Sequence, residues 1–144
     1  MERYESWLDR AKSSFELSKI TTNELIYYED LCFQAQQAVE KALKGLLIYF
    51  GDDPDFTHNL GILLATLIKY TEIPEEIEES IKLNNFAVQT RYPGEYEEIT
   101  KDEYEECIRI TGNCLKWVEE IIIADKRKNE NDAASGLQND KVIR

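Results

Sequence analysis

The sequence holds one histidine, His58, and three cysteines, Cys32, Cys107 and Cys114, in 144 residues. That scarcity excludes much chemistry. No Cys-x-x-Cys pair occurs, and a single imidazole with scattered thiols makes no structural zinc set, so no metal is expected. An odd number of cysteines inside helical patterns fits free thiols in a reducing compartment better than a disulfide framework. No apolar run approaches the ~20 residues needed to cross a bilayer, so no membrane partner is expected. The opening MERYESWLDRAK is charged and mixed, without the apolar segment of a secretory signal, and the expected compartment is the cytoplasm. There is no phosphate-binding glycine loop, no Ser/His/Asp grouping, no internal repeat and no low-complexity block. No catalytic residue and no cofactor is assigned.

Positive charge is also short. Seventeen Lys and Arg face 29 Asp and Glu, a net charge of −12. The last twenty residues hold five basic and four acidic groups, so the acidity lies in residues 1–124. Non-specific nucleic-acid binding needs clustered cations against phosphate, and no DNA partner is expected. A local basic pocket, or a basic partner steered by the acidic field, stays open.

What the chain does have is helical periodicity. Tyr4, Trp7, Leu8, Ala11, Phe15 and Leu17 or Ser18 predict a helix over 2–20. Thr21 and Glu24 form a candidate capping box for a second helix over 22–50, ended by Gly51 and kept ended by Pro54. Its stripe is Cys32, Ala35, Val39, Ala42, Leu43, Leu46 and Phe50, widened by Leu31, Ala38 and Tyr49. That arc of about 140° suits a central bundle helix. Thr57 is the expected cap of a third helix with Leu60, Leu63, Leu64, Leu67 and Ile68 inward, and His58 would sit in its first turn. Pro74 opens a fourth helix over 74–89 with Ile77, Ile81 and Val88 inward. Pro93-Gly94 suits a type II turn. Thr100 and Glu103 make a second capping box, opening a helix over 101–124 with Tyr104, Cys107 or Ile108, Leu115, Val118 and Ile122 inward. Short connections and no strand pattern predict an all-α fold, an antiparallel up-and-down bundle of four to five helices in residues 1–124. Residues 125–144 have no periodicity and are expected to form a disordered polar tail.

The second helix carries a further face. Phe33, Gln36, Gln37, Glu40, Lys44 and Leu47 share an arc about 100° wide. It is either a solvated face with two stray apolar residues or a partner interface with an apolar anchor.

The stretches EDLCFQAQQAVEKALKGLLIYFG, THNLGILL and QTRYPGEY, in this order and spacing, resemble the HEPN family, the higher eukaryote and prokaryote nucleotide-binding domains. The resemblance covers about residues 3–124. It implies a four- or five-helix bundle, commonly a homodimer, often encoded beside a minimal nucleotidyltransferase, some pairs acting as toxin and antitoxin. It also implies, for active members, metal-independent RNA cleavage by an Arg followed four to six residues on by a His, in a cleft between subunits. In some such systems the partner transfers AMP to a tyrosine near the motif. On this resemblance the Phe33–Leu47 arc becomes a dimer interface.

Arg91 matches the motif arginine, but Tyr96, Glu97 and Glu98 stand where the histidine would. Metal-free RNA cleavage needs groups that accept and donate protons near neutral pH, which imidazole does and guanidinium does not. Arg91 with Tyr92 and Tyr96 therefore reads as a nucleotide or RNA-phosphate site rather than a nuclease, with either tyrosine a candidate AMP acceptor. The alternatives are Arg91 as a helix-end cation with loop-packing tyrosines, an endoribonuclease with a variant site, and a non-catalytic structural dimer.

Overall fold

A computed structural model of the chain describes residues 3–54, 57–87, 94 and 97–143, with side chains through residue 135. The described residues form five α-helices and a 3-10 segment, with no strand. These are α1 (Arg3–Ser18), α2 (Tyr28–Tyr49), α3 (Leu60–Leu67), α4 (Glu75–Glu78), the 3-10 segment Glu79–Phe86, and α5 (Lys101–Ile143). The all-α bundle expected from the periodicity is the fold observed. No helix among the described residues is long and apolar enough to cross a membrane.

α2 is the central element, packed along α1 and against α5. Cys32, Ala35, Ala38, Val39, Ala42, Leu43, Leu46 and Leu47 are all buried, so the apolar arc is covered on more than one side. Each fully buried leucine here contributes about 1.5–3 kcal/mol relative to exposure. Close approach to α1 depends on Gly45. A Cβ there would meet Leu8 Cδ2 at 3.0 Å and Trp7 Cβ at 3.2 Å. α5 contributes Tyr104, Cys107, Ile110, Cys114, Trp117, Val118 and Ile122 to the same core. It is tied to the end of α1 by Tyr104 Oη, which donates to the Ser18 carbonyl at 2.6 Å. Ser18, not the 47% exposed Leu17, is the inward member of that pair.

Local signals act where nothing competes with them. α2 ends in a Schellman motif, with the Asp52 N–H on the Leu47 carbonyl and the Gly51 N–H on that of Ile48, both at 2.9 Å. Gly51 accepts the required φ of 86°. The second capping box forms as expected. Thr100 Oγ1 accepts from the Glu103 N–H at 3.1 Å, and Glu103 Oε1 accepts from the Thr100 N–H at 3.3 Å.

Four expectations are corrected. The first capping box does not start α2: Asn23 Oδ1 accepts the Leu25 N–H at 3.0 Å, and this local turn delays the helix to Tyr28. Asn59, not Thr57, caps α3, accepting the Gly61 N–H at 2.9 Å, while Thr57 Oγ1 turns the preceding chain by accepting the Asn59 N–H. The fourth helix is one short α-turn followed by 3-10 geometry. With three residues per turn, Ile77, Ser80 and Leu83 face inward at intervals of three and Ile81 is 42% exposed. Val88 lies outside the described residues. Finally, α5 does not stop at Ala124 but continues to Ile143. Among the residues whose side chains are described, Ile122 is the last buried one, and residues 126–135 are exposed. Extending an existing helix adds one hydrogen bond per residue fixed, so it proceeds without a core to rest on.

Candidate functional site

Gln36, Glu40 and Lys44 are spaced by four residues and so form one column along α2. The sequence offers this column to solvent or to a partner. The structure covers it within the chain: Gln36 is 0%, Glu40 4%, Lys44 7% and Leu47 0% exposed. Only Phe33 and Gln37 of that face are half-buried. The reason is tertiary. The segment before α3 lies over one end, where the His58 carbonyl accepts from Gln36 Nε2 at 3.3 Å. Trp7 of α1 lies near the other, with Lys44 Nζ 5.8 Å from its ring centroid.

Burying ions costs several kcal/mol each unless their charge and hydrogen-bonding capacity are met. Here they are met. Glu40 Oε2 accepts from Lys44 Nζ at 3.1 Å. Glu40 Oε1 accepts from Gln36 Nε2 at 3.3 Å and faces His58 Nδ1 at 2.9 Å. Gln37 Nε2 donates to Gln36 Oε1 at 2.8 Å, completing the amide. No buried side-chain N or O among the described residues lacks a partner.

His58 lies outside α3, before its cap Asn59, and not in the first turn. Its imidazole is 70% exposed, whereas the Glu40 carboxylate is 5% exposed. A carboxylate accepts, so the imidazole proton belongs on Nδ1, and in the neutral ring Nε2 keeps its lone pair. That is the arrangement of a base held by an orienting carboxylate. Sequence reasoning did not pair these residues because they are 18 positions apart and sit on different elements. The break at Pro54 before THN was the one available hint.

The three cysteines and Arg109 sit in structural settings. Cys32, Cys107 and Cys114 are free and buried. Its own hydrogen bond to the neighbouring Cys32 sulfur, which holds the proton on Cys107, together with burial, pushes the Cys107 thiol up. Burial pushes that of Cys114 up to about 12. Such thiols are poor nucleophiles. Arg109 is held by Glu106 and Glu79 at 2.7 and 3.0 Å on the surface. No three His, Cys, Asp or Glu among the described residues group to hold a metal ion. Arg91, Tyr92 and Tyr96, the expected ligand contacts, lie outside the described residues.

Comparison with known proteins places this architecture. The HEPN domain matches residues 4–121. The crystal structure of TT1696 from Thermus thermophilus superposes with a TM-score of 0.72 at 32% identity, covering 83% of this chain and 98% of that one. The structure of ST0689, described as an archaeal HEPN homologue, gives 0.66 at 31% identity, covering 85% and 99%. "Putative toxin MJ1304" of Methanocaldococcus jannaschii is 28% identical over 134 residues, spanning 81% of this chain and 86% of that protein. With the domain matched over most of its length and a helical bundle that two solved structures share at above 30% identity, this chain belongs to the HEPN family.

Proposed function

We propose that this HEPN-domain protein is a cytoplasmic homodimer that binds nucleotide or RNA phosphate through Arg91, with Tyr92 and Tyr96 beside it, and pairs with a nucleotidyltransferase in a toxin–antitoxin-like manner. The observation that carries the reading is the segment RYPGEYEE, which keeps the arginine of the family's nuclease motif and lacks its histidine. A guanidinium grips phosphate through a bidentate fork but does not exchange protons at physiological pH. Similarity to a protein named as a toxin supports the class of system. The test is titration of the purified chain with a labelled oligoribonucleotide and with AMP in EDTA. Binding that Arg91→Ala abolishes, with the RNA left whole, supports the reading. Metal-free cleavage overturns it.

One observation favours a second reading, a variant endoribonuclease. His58 is the chain's only imidazole, and it is oriented through Nδ1 by a buried carboxylate while its side chain is 70% exposed. Under that reading the same assay yields cleaved RNA, and His58→Ala and Arg91→Ala each abolish the product.

A further inference from the structure

On a chain of net charge −12, an anionic ligand rests only where cations are not already neutralised. Most cations of the bundle are. Lys12 meets Glu119 and Lys19 meets Glu16, each at 2.9 Å, and Arg109 is held by Glu106 and Glu79. Lys69 shares a hollow with Asp52 and Asp53, and Lys82 lies in the field of Glu106. Arg10 and Lys41 differ: among the described residues neither forms an ion pair, and the charge of one acts on the other. Lys41 Nζ donates to Ser14 Oγ at 2.8 Å, and Ser14 is 2% exposed, so the ammonium is anchored on a buried hydroxyl. Arg10 lies one turn from Ser14 on the same side of α1. Burial first, and then the Arg10 charge, hold the Lys41 ammonium below its ordinary value. Glu40 acts the other way, but it is bound by Lys44 and faces His58. Two neighbouring cations without a counterion leave a place for an anion.

These cations close one end of a strip between α1 and α2. Phe33, Gln37 and Lys41 recur every four residues and form one column of α2. Arg10, Ser14 and Leu17 form the adjoining column of α1. The contacts Tyr4–Tyr49, Leu8–Gly45 and Ser14–Lys41 run in opposite senses along the two helices, so Leu17 lies toward the Phe33 end. Phe33 and Gln37 are half-buried and Leu17 is exposed. Gln37 Nε2 donates to Gln36, whereas its Oε1 accepts nothing among the described residues. The strip therefore offers an aromatic ring, an amide oxygen and two cations over about 12 Å of α2. Single-stranded RNA is held by such parts, its bases by stacking and its backbone by charge. We propose that a strand gripped at Arg91 continues over this strip, with a phosphate at Arg10 and Lys41 and a base stacked on Phe33 beside the Gln37 amide. The inference rests on the phosphate-binding reading of Arg91 and names a strand, rather than a mononucleotide, as its ligand.

Fluorescence anisotropy of the full chain with a labelled oligouridylate in EDTA tests it. Arg10→Ala and Lys41→Gln should each weaken binding about tenfold, the effect of losing one charge-assisted contact; glutamine still donates to Ser14. Phe33→Ala should weaken it about fivefold or more through lost stacking. Lys82→Gln should change nothing. AMP, which reaches only Arg91, should bind all of these variants as it binds wild type. Circular dichroism confirms that each variant stays folded; if Phe33→Ala unfolds, Phe33→Leu, which has no ring, carries the same expectation. RNA binding that Arg91→Ala abolishes but the strip variants leave alone overturns the strip and leaves the Arg91 reading standing. RNA binding lost in the strip variants, with Arg91→Ala without effect, keeps the strip and removes that reading. Equal losses for AMP make the strip a mononucleotide site and overturn the strand. A change of sedimented mass in Phe33→Ala makes the column a contact between copies and also overturns it. A wild type that binds no oligouridylate removes both sites for RNA.

Discussion

Nδ1 of His58 lies 2.9 Å from Oε1 of Glu40, so an exposed ring is anchored to a buried carboxylate that also neutralises Lys44. The two partners of Glu40 are not equivalent. Lys44 is sealed with it, whereas His58 reaches it from the surface.

That asymmetry orders three variants. Glu40→Ala strands a buried ammonium and should cost about 3–5 kcal/mol. His58→Ala removes a mostly exposed ring and should cost about 1 kcal/mol or less. Replacing Glu40 by Leu and Lys44 by Met together should recover most of the first loss. Urea unfolding at neutral pH reads all three.

Gly45→Ala should destabilise the protein by about 1–2 kcal/mol, because the added methyl crowds Leu8 and Trp7 where α1 crosses α2. Helix propensity alone predicts the opposite sign, a gain of about 1 kcal/mol. Thermal melts of the two proteins decide between them.

Stability should fall on the alkaline side. Cys114 titrates from an ordinary value of 9.0 in the unfolded chain to about 12 in the fold, through burial. Its contribution is complete below about pH 9 and is lost as pH rises toward 12, because the unfolded thiol ionises first. The slope should approach about 1.4 kcal/mol per pH unit for this group. Cys114→Ala should flatten the profile without abolishing it, since burial and the Asp125 hydrogen bond also push the Tyr49 phenol up to about 12. Urea titrations between about pH 8 and 10.5 test this.

Deleting residues 127–144 should change stability by less than about 0.5 kcal/mol, because the described side chains there are exposed. Cutting two residues earlier removes Asp125, which accepts from Tyr49 Oη at 2.6 Å, and should cost about 1–2 kcal/mol. Urea unfolding of the two truncations separates these outcomes.

Features set by neighbours in the chain were legible before any coordinates. The Thr100–Glu103 box and the Gly51 stop depend on residues within a few positions, and both form. The core stripe of α2 follows from its period, as does the helical class of the fold. Features set by packing were not. A helical wheel turns about 100° per residue, so it misplaces Ile81 once the backbone tightens to 3-10. Nor does it know what lies above a face: Glu40 and Lys44 look like a solvated i,i+4 pair until Trp7 and His58 cover them. Thr21 and Thr57 had the right chemistry for caps, but it is Asn23 and Asn59 nearby that accept the Leu25 and Gly61 N–H groups. The family pattern supplied Arg91, Tyr92 and Tyr96, and the geometry adds to them an oriented imidazole that the motif does not contain.

The length of α5 reaches beyond the bundle. Its 43 residues span roughly 65 Å, while a compact 144-residue domain has a radius of gyration of about 15 Å. A projecting rod raises translational friction without raising mass. A single copy will therefore elute from a column calibrated with spheres earlier than its 16.8 kDa warrants, and the shortened chain ending at Lys126 will migrate as a much rounder particle.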